Sequence, residues 1–323
     1  MLRRAWWVAL LLLWGCEGDP VPADAGVDAP PAVDAGPPPL AVPPPGEPMP
    51  ERLSDMGLVV DGAPHPALHA YAPAYPLWTN GCDKRRLLYL PEGTHVGVDG
   101  GFVFPVGAAL FKEFAYDDHR VETRVMRLGP DGWEFFVYLW EGEDATLSLA
   151  TVPMDVEVTT AEGPLTHVVP SERDCRTCHE SNGDETVIGF APRQVARAFD
   201  TLTDEGVFEA RPSEPRAILG RDARETMVLG YVLGNCVHCH NGGSGPATSF
   251  DMRPEVFVDN VVGVDVASSA APPGVRVVAG DPDASVLYAA FTRENDFVMP
   301  PIGVQRVDSE ALEMLRDWIS SLP

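Results

Sequence analysis

Two five-residue stretches hold the residue types best suited to chemistry. Cys175-Arg176-Thr177-Cys178-His179 and Cys236-Val237-His238-Cys239-His240 repeat one pattern, C-x-x-C-H, and use four of the chain's six cysteines. Two intervening residues set both sulfurs on one side of a short turn, and the next residue adds an imidazole. That set suits covalent haem c: each thiol bonds a vinyl group of the porphyrin and the histidine binds iron. Two copies predict two covalently bound haem c groups, attached at Cys175, Cys178, Cys236 and Cys239, with His179 and His240 as proximal iron ligands. Paired C-x-x-C segments also clasp zinc, and in an oxidising compartment they form disulfides or thiol redox motifs. Neither alternative accounts for a histidine directly after both pairs.

The second motif has further support. A helical pattern leads into it, and Phe297-Val298-Met299-Pro300-Pro301 follows it before a closing helical pattern. A methionine in that order is where the distal iron ligand of a small class I c-type cytochrome sits. Met299 is therefore predicted as the sixth ligand of the second haem, a soft thioether that favours ferrous iron. No such loop follows His179. His167, Met227 and His238 are near it in sequence but have no motif around them, so the distal ligand of the first haem stays unassigned. An open first iron points to small-molecule chemistry and a closed one to electron transfer. Cys82 is left over and reads as a small buried residue.

These residues need a scaffold. Arg3 and Arg4 precede an apolar run from Ala5 to Trp14 and then Gly15-Cys16. This predicts a signal peptide over residues 1–15 with Cys16 as a lipidated N-terminus, or else an ordinary signal peptide cut nearby. Residues 16–55 are rich in Pro, Ala and Asp and are expected to form a disordered tether. Over 56–165, short alternating strands predict an antiparallel β domain, a sandwich or open barrel. Its clearest hairpin spans 121–139 around Gly129-Pro130-Asp131-Gly132. From 166 to 323 the pattern turns helical, with helices predicted over 192–199, 222–233 and 308–319, the last capped by Asp308 or Ser309. The fold class is therefore α+β multidomain: an antiparallel β domain followed by a mainly α, cytochrome c-like haem domain, its class I-like part over about 215–323.

From residue 71 onward the chain resembles a family of secreted bacterial dihaem c-type cytochromes. The resemblance rests on Tyr75-Pro76-Leu77, Lys84-Arg85-Arg86, Leu90-Pro91-Glu92-Gly93-Thr94 and Phe104-Pro105-Val106-Gly107. Lys112, Phe114, Glu122-Thr123-Arg124, Trp133, Tyr138 and Trp140 continue it. Both C-x-x-C-H motifs, Gly280-Asp281-Pro282-Asp283, Ser285, Leu287, Met299-Pro300 and Trp318 complete it. The resemblance implies a β-rich region before a haem region whose last part is cytochrome c-like. It implies no substrate.

The net charge of −25 argues against a phosphate backbone as partner, so no nucleic acid is expected. Redox partner proteins with basic docking patches fit better. The reading that follows is an electron-transfer protein in the periplasm or at the cell surface, anchored to a bacterial membrane through lipid on Cys16. Two alternatives stand beside it. One is a dihaem enzyme, peroxidase-like or acting on another small molecule at an open first haem. The other is a haem-bearing binding module whose β domain docks a protein or glycan.

Overall fold

The computed structural model describes residues 37–181, 183, 185–243 and 250–323. The predicted signal peptide, Cys16 and the tether up to residue 36 lie outside the described residues. Among the described residues no helix is long and apolar enough to cross a membrane.

The centre of the β region is one six-stranded antiparallel sheet. Its strands are β3 (Leu68–Ala70), β4 (Asp83–Tyr89), β7 (Ala109–Tyr116), β8 (His119–Gly129), β9 (Gly132–Glu141) and β10 (Asp144–Leu147). They lie in the order β10-β9-β8-β7-β4-β3. Two-residue strands β1 (Val59–Val60) and β2 (Ala63–Pro64) form a small ribbon, as do β5 (Gly97–Val98) and β6 (Phe102–Val103). A separate hairpin joins β11 (Met154–Thr160) to β12 (Gly163–Val169). The β8–β9 hairpin turns at the predicted place, with Gly129 opposite Gly132 and the latter at φ 126°, which favours glycine.

Strand alternation gives this sheet two buried faces. On one face Leu87, Phe111, Val125 and Phe136 are successive cross-strand partners. They pack against Leu40, Met49, Leu53, Met56 and Leu58. On the other face Leu88, Leu110, Met126 and Phe135 are partners in the same way. That row packs with Cys175, Phe190, Phe199 and Phe208. The expected sandwich or barrel is thus one sheet, covered on both faces by chain that is mostly not β. The expected tether also ends well before residue 55. Arg127 is 2% exposed, and its guanidinium donates to the carbonyls of Pro43, Pro44 and Glu47 at 3.0–3.1 Å. Tyr138 Oη donates to Pro50 O at 2.8 Å. A proline-rich strand cannot join a ladder through N–H groups, but its carbonyls remain strong acceptors.

Among the described residues seven helices follow: α1 (Glu172–His179), α2 (Pro192–Val195), α3 (Phe199–Asp204), α4 (Ala223–Asn235), α5 (Phe257–Val261), α6 (Val286–Thr292) and α7 (Ser309–Ser320). The single helix expected over 192–199 is instead α2, a 3-10 turn at Ala196–Ala198, and α3. Asp222 caps α4 and Asp308 caps α7, each accepting a bond from a backbone N–H three residues on. Residues 218–322 build their own core around Trp318, Phe257 and Leu229. Trp318 Nε1 donates to Glu225 Oε2 at 3.1 Å inside it. Cys175, by contrast, packs in the cluster that lies on the sheet.

The segment Tyr75–Trp78 docks against α4 where the helix has glycines at 230 and 234. Trp78 N donates to Asn235 Oδ1 at 2.7 Å. A Cβ on Gly234 would stand 2.5 Å from the carbonyl oxygen of Tyr75, and one on Gly230 would stand 2.6 Å from the Tyr75 ring. Backbone cannot yield as a side chain can. Gly234→Ala is therefore expected to cost about 1–3 kcal/mol, read as a lower urea midpoint. It also displaces the end of α4, which delivers Cys236.

Candidate functional site

The second motif begins where α4 ends. Cys236 is its C-cap residue, and the next turn closes with Cys239 N and His240 N both bonding Cys236 O at 3.1 and 2.9 Å. Met252 N donates to His240 O at 2.8 Å and fastens the turn's far side. Cys236, Cys239 and His240 open onto a cavity of about 320 Å³ whose walls are largely apolar and include Phe250, Leu287 and Met299. Met299 is brought there by its own loop, whose N–H donates to Ala290 O on α6 at 3.0 Å. Arg293 Nη1 bonds Pro300 O at 3.2 Å beside it. The predicted attachment cysteines, proximal histidine and distal methionine of the second site therefore share one cavity.

The cavity is partly open to solvent and lined mostly by apolar side chains. Its volume falls in the range of small-molecule pockets. His240 Nδ1 is buried with no hydrogen-bond partner among the described residues. Burial also pushes the His240 imidazole down to about 4, so the ring is neutral at pH 7 and offers a lone pair. Two thiols, a neutral imidazole and a thioether on an apolar cavity fit haem c.

The first motif lies on α1. Ser171 caps the helix in a reciprocal box with Asp174. The Ser171-x-x-Asp174 spacing is a local signal for a helix that the strand-to-helix reading had not placed. His179, at the last position, contributes Nδ1 to a 2.7 Å hydrogen bond with Thr186 O. A carbonyl only accepts, so Nδ1 carries the hydrogen and Nε2 keeps the lone pair, the arrangement that orients a metal-binding imidazole. The Phe135 ring lies 5.4 Å from the His179 ring. Burial, with Lys112 and other cations adding to it, pushes His179 down to about 3. Burial pushes the Cys175 thiol up to about 11. The donor set and the oriented imidazole fit haem c here too.

The two motifs meet. The ligand atoms of Cys178, His238 and Cys239 all lie within 4.8 Å of one another. Asn241 Nδ2 donates to Ser181 O at 2.7 Å and ties the two turns together. A hydrogen bond between the thiols pushes Cys178 up and Cys239 down. Three such donors also suit a soft metal ion, with a fourth ligand still to be supplied.

The remaining candidates fall elsewhere. His167 is fully buried and engaged at both nitrogens: Nε2 donates to Glu122 Oε1 at 2.8 Å, and Nδ1 shares a bond with Tyr116 Oη at 3.1 Å. Met227 is exposed. Cys82 is buried with Phe114, Tyr116 and Val121, and burial raises its thiol. Three residues that carry the resemblance prove to be neighbours, which the sequence alone did not suggest. Arg86, Lys112 and Arg124 are successive partners on β4, β7 and β8, on the face that carries the first motif. Burial, with Arg86, Arg124 and Lys84 close by, pushes the Lys112 ammonium well below the usual lysine range. No family model, curated protein or solved structure matches the chain, so the resemblance to dihaem cytochromes stands on the residues that carry it.

Proposed function

We propose that the chain is an extracytoplasmic dihaem c-type cytochrome that transfers electrons, held to a membrane by lipid on Cys16. The observation that carries this reading is the meeting of the two C-x-x-C-H turns beside a cavity that also contains Met299. When bound, haem c supplies one-electron redox chemistry at each turn. The chain's own residues do the rest. Cys236 and Cys239 fix the group at the second site, and Cys175 and Cys178 at the first. His240 and Met299 offer nitrogen and sulfur from one cavity, whose apolar wall excludes water. His179 is oriented by Thr186 O. The approach of Cys178 to Cys239 places the two attachment points side by side, which suits relay between the sites. The helical region 218–322 is proposed as the cytochrome c-like part. A net charge of −25 steers basic faces of redox partners toward the protein.

Two observations bear on the alternatives. Both faces of the sheet are covered by the chain itself, so neither is an open platform for docking a partner or glycan. Of the three residues near the first motif, His167 is engaged at both nitrogens and Met227 is exposed, while His238 lies against Cys178 with a buried, unpartnered Nδ1. Met299→Ala tests the ligand assignment. It is expected to lower one of two reduction potentials and to open one iron to carbon monoxide. Redox titration and difference spectra of the purified protein read both effects, and unchanged values would remove Met299 from the site.

A further inference from the structure

The face of the sheet beside the first motif carries a charge arrangement that needs a partner. Arg86↔Lys112 and Lys112↔Arg124 are direct cross-strand neighbours, so three cations stand in register on three adjacent strands. Like charges placed opposite one another destabilise a sheet. One row further on, Lys84 stands opposite Phe114, and Lys84 and Lys112 are the only two lysines in the sequence. Arg124 is balanced by Glu122, with Nε donating to Oε1 at 3.0 Å. Lys84 gives its ammonium to Leu77 O at 2.7 Å. Among the described residues Arg86 and Lys112 form no ion pair with a carboxylate, and the Arg86 guanidinium makes no side-chain hydrogen bond. Arg86 is only 7% exposed and lines a cleft of about 490 Å³ with Lys84, Asp83 and Asp308, while Lys112 and Arg124 stand beside it on the same sheet face. The Lys112 ammonium lies over the Phe114 ring, 4.9 Å from its centre. Arg86 is buried and Lys112 half-buried, so two like charges stand side by side with little water between them to screen their repulsion, which an anion would relieve.

We infer that Arg86, Lys112 and Arg124 form an anion-binding seat for carboxylate or oxyanion groups at the first haem site. This deepens the haem reading and rests on it. The fork of Arg86 and the point charge of Lys112 suit the two oxygens of a carboxylate or of a small oxyanion. Two sources carry that chemistry: the propionate carboxylates of haem c itself, or a free oxyanion such as nitrite or sulfite.

The sign of one substitution decides the matter. Lys112→Met removes one cation from between two others. If the row is bare, this relieves repulsion, and the urea midpoint of the purified, haem-loaded protein rises. If an anion sits there, Lys112→Met breaks a charge-assisted hydrogen bond. The folded-to-unfolded ratio then falls on the order of tenfold or more, whereas Lys112→Arg stays near wild type. Arg86→Gln gives a second, independent reading in the same direction. Adding nitrite or sulfite separates the sources. A saturable rise in the wild-type midpoint, absent in Lys112→Met, identifies a free oxyanion, and no change identifies the propionates. A raised midpoint in Lys112→Met overturns the seat. Haem content measured on the same samples keeps the two readings apart: two haems with a raised midpoint sink the seat alone, and no haem sinks the cofactor.

Discussion

A chain with alanine at both Cys236 and Cys239, matured in a haem-attaching bacterial host, is expected to carry one haem instead of two. The pyridine haemochrome per polypeptide should fall by half. The reason lies in how the second turn is built. Cys236 is held at the end of α4 and Cys239 is three residues on, both on the wall of the 320 Å³ cavity that Met299 also lines. Without either thiol there is no covalent link, and the cavity loses what fills it. A second consequence follows for stability. A group held only by the folded protein stabilises it, so the variant without that group should unfold at lower urea. The first turn sits in a different core, with the sheet, and should keep its haem. Loss of both haems would instead mean that the two attachments depend on each other, and loss of none would exclude Cys236 and Cys239 as attachment points.

Glu122→Gln is expected to be the most destabilising single change outside the motifs, at about 3–5 kcal/mol. Glu122 is fully buried on β8 and receives Arg124 Nε at 3.0 Å and His167 Nε2 at 2.8 Å, both on Oε1. Burial by itself would raise its carboxyl. The Arg124 charge and the bonds from His167 and Arg124 outweigh that and hold it at about 2. The amide of Gln leaves Arg124 uncompensated beside Lys112 and brings two extra donors into a site with no acceptor for them. The depressed carboxyl also fixes the pH dependence. Its folded value lies below the ordinary 4.5, so its contribution is complete above about 4.5 and is lost as pH falls toward about 2. Urea curves at pH 7 and pH 3 check both points. Wild type should lose stability between them and Glu122→Gln much less. A cost under 1 kcal/mol at pH 7 would mean that the buried pair does not anchor β8.

What could be read from the chain was local. The C-x-x-C-H pattern needs only five consecutive residues. The starts of α4 and α7 were legible because Asp222 and Asp308 precede periodic apolar residues. The β8–β9 hairpin was legible because Gly129-Pro130-Asp131-Gly132 interrupts two alternating runs. Features set by distant pairing were hidden. Residues 40–55 have the composition of a tether, and distant donors on Arg127 and Tyr138 turn their carbonyls into structure. The row of Arg86, Lys112 and Arg124 exists only once the register of three strands is known. The approach of Cys178 to Cys239 likewise depends on how the second core docks against the sheet. The first motif precedes helices in sequence, and Cys175 packs with them and also with the strands before it, which no local pattern could announce.

The most direct test of the account is the intact mass and metal content of the purified, matured protein, taken with its pyridine haemochrome. The expected result is a red protein with a Soret band, two haem masses added covalently to one polypeptide, and two iron atoms. A colourless protein with no added mass and zinc bound at Cys178, His238 and Cys239 would contradict it.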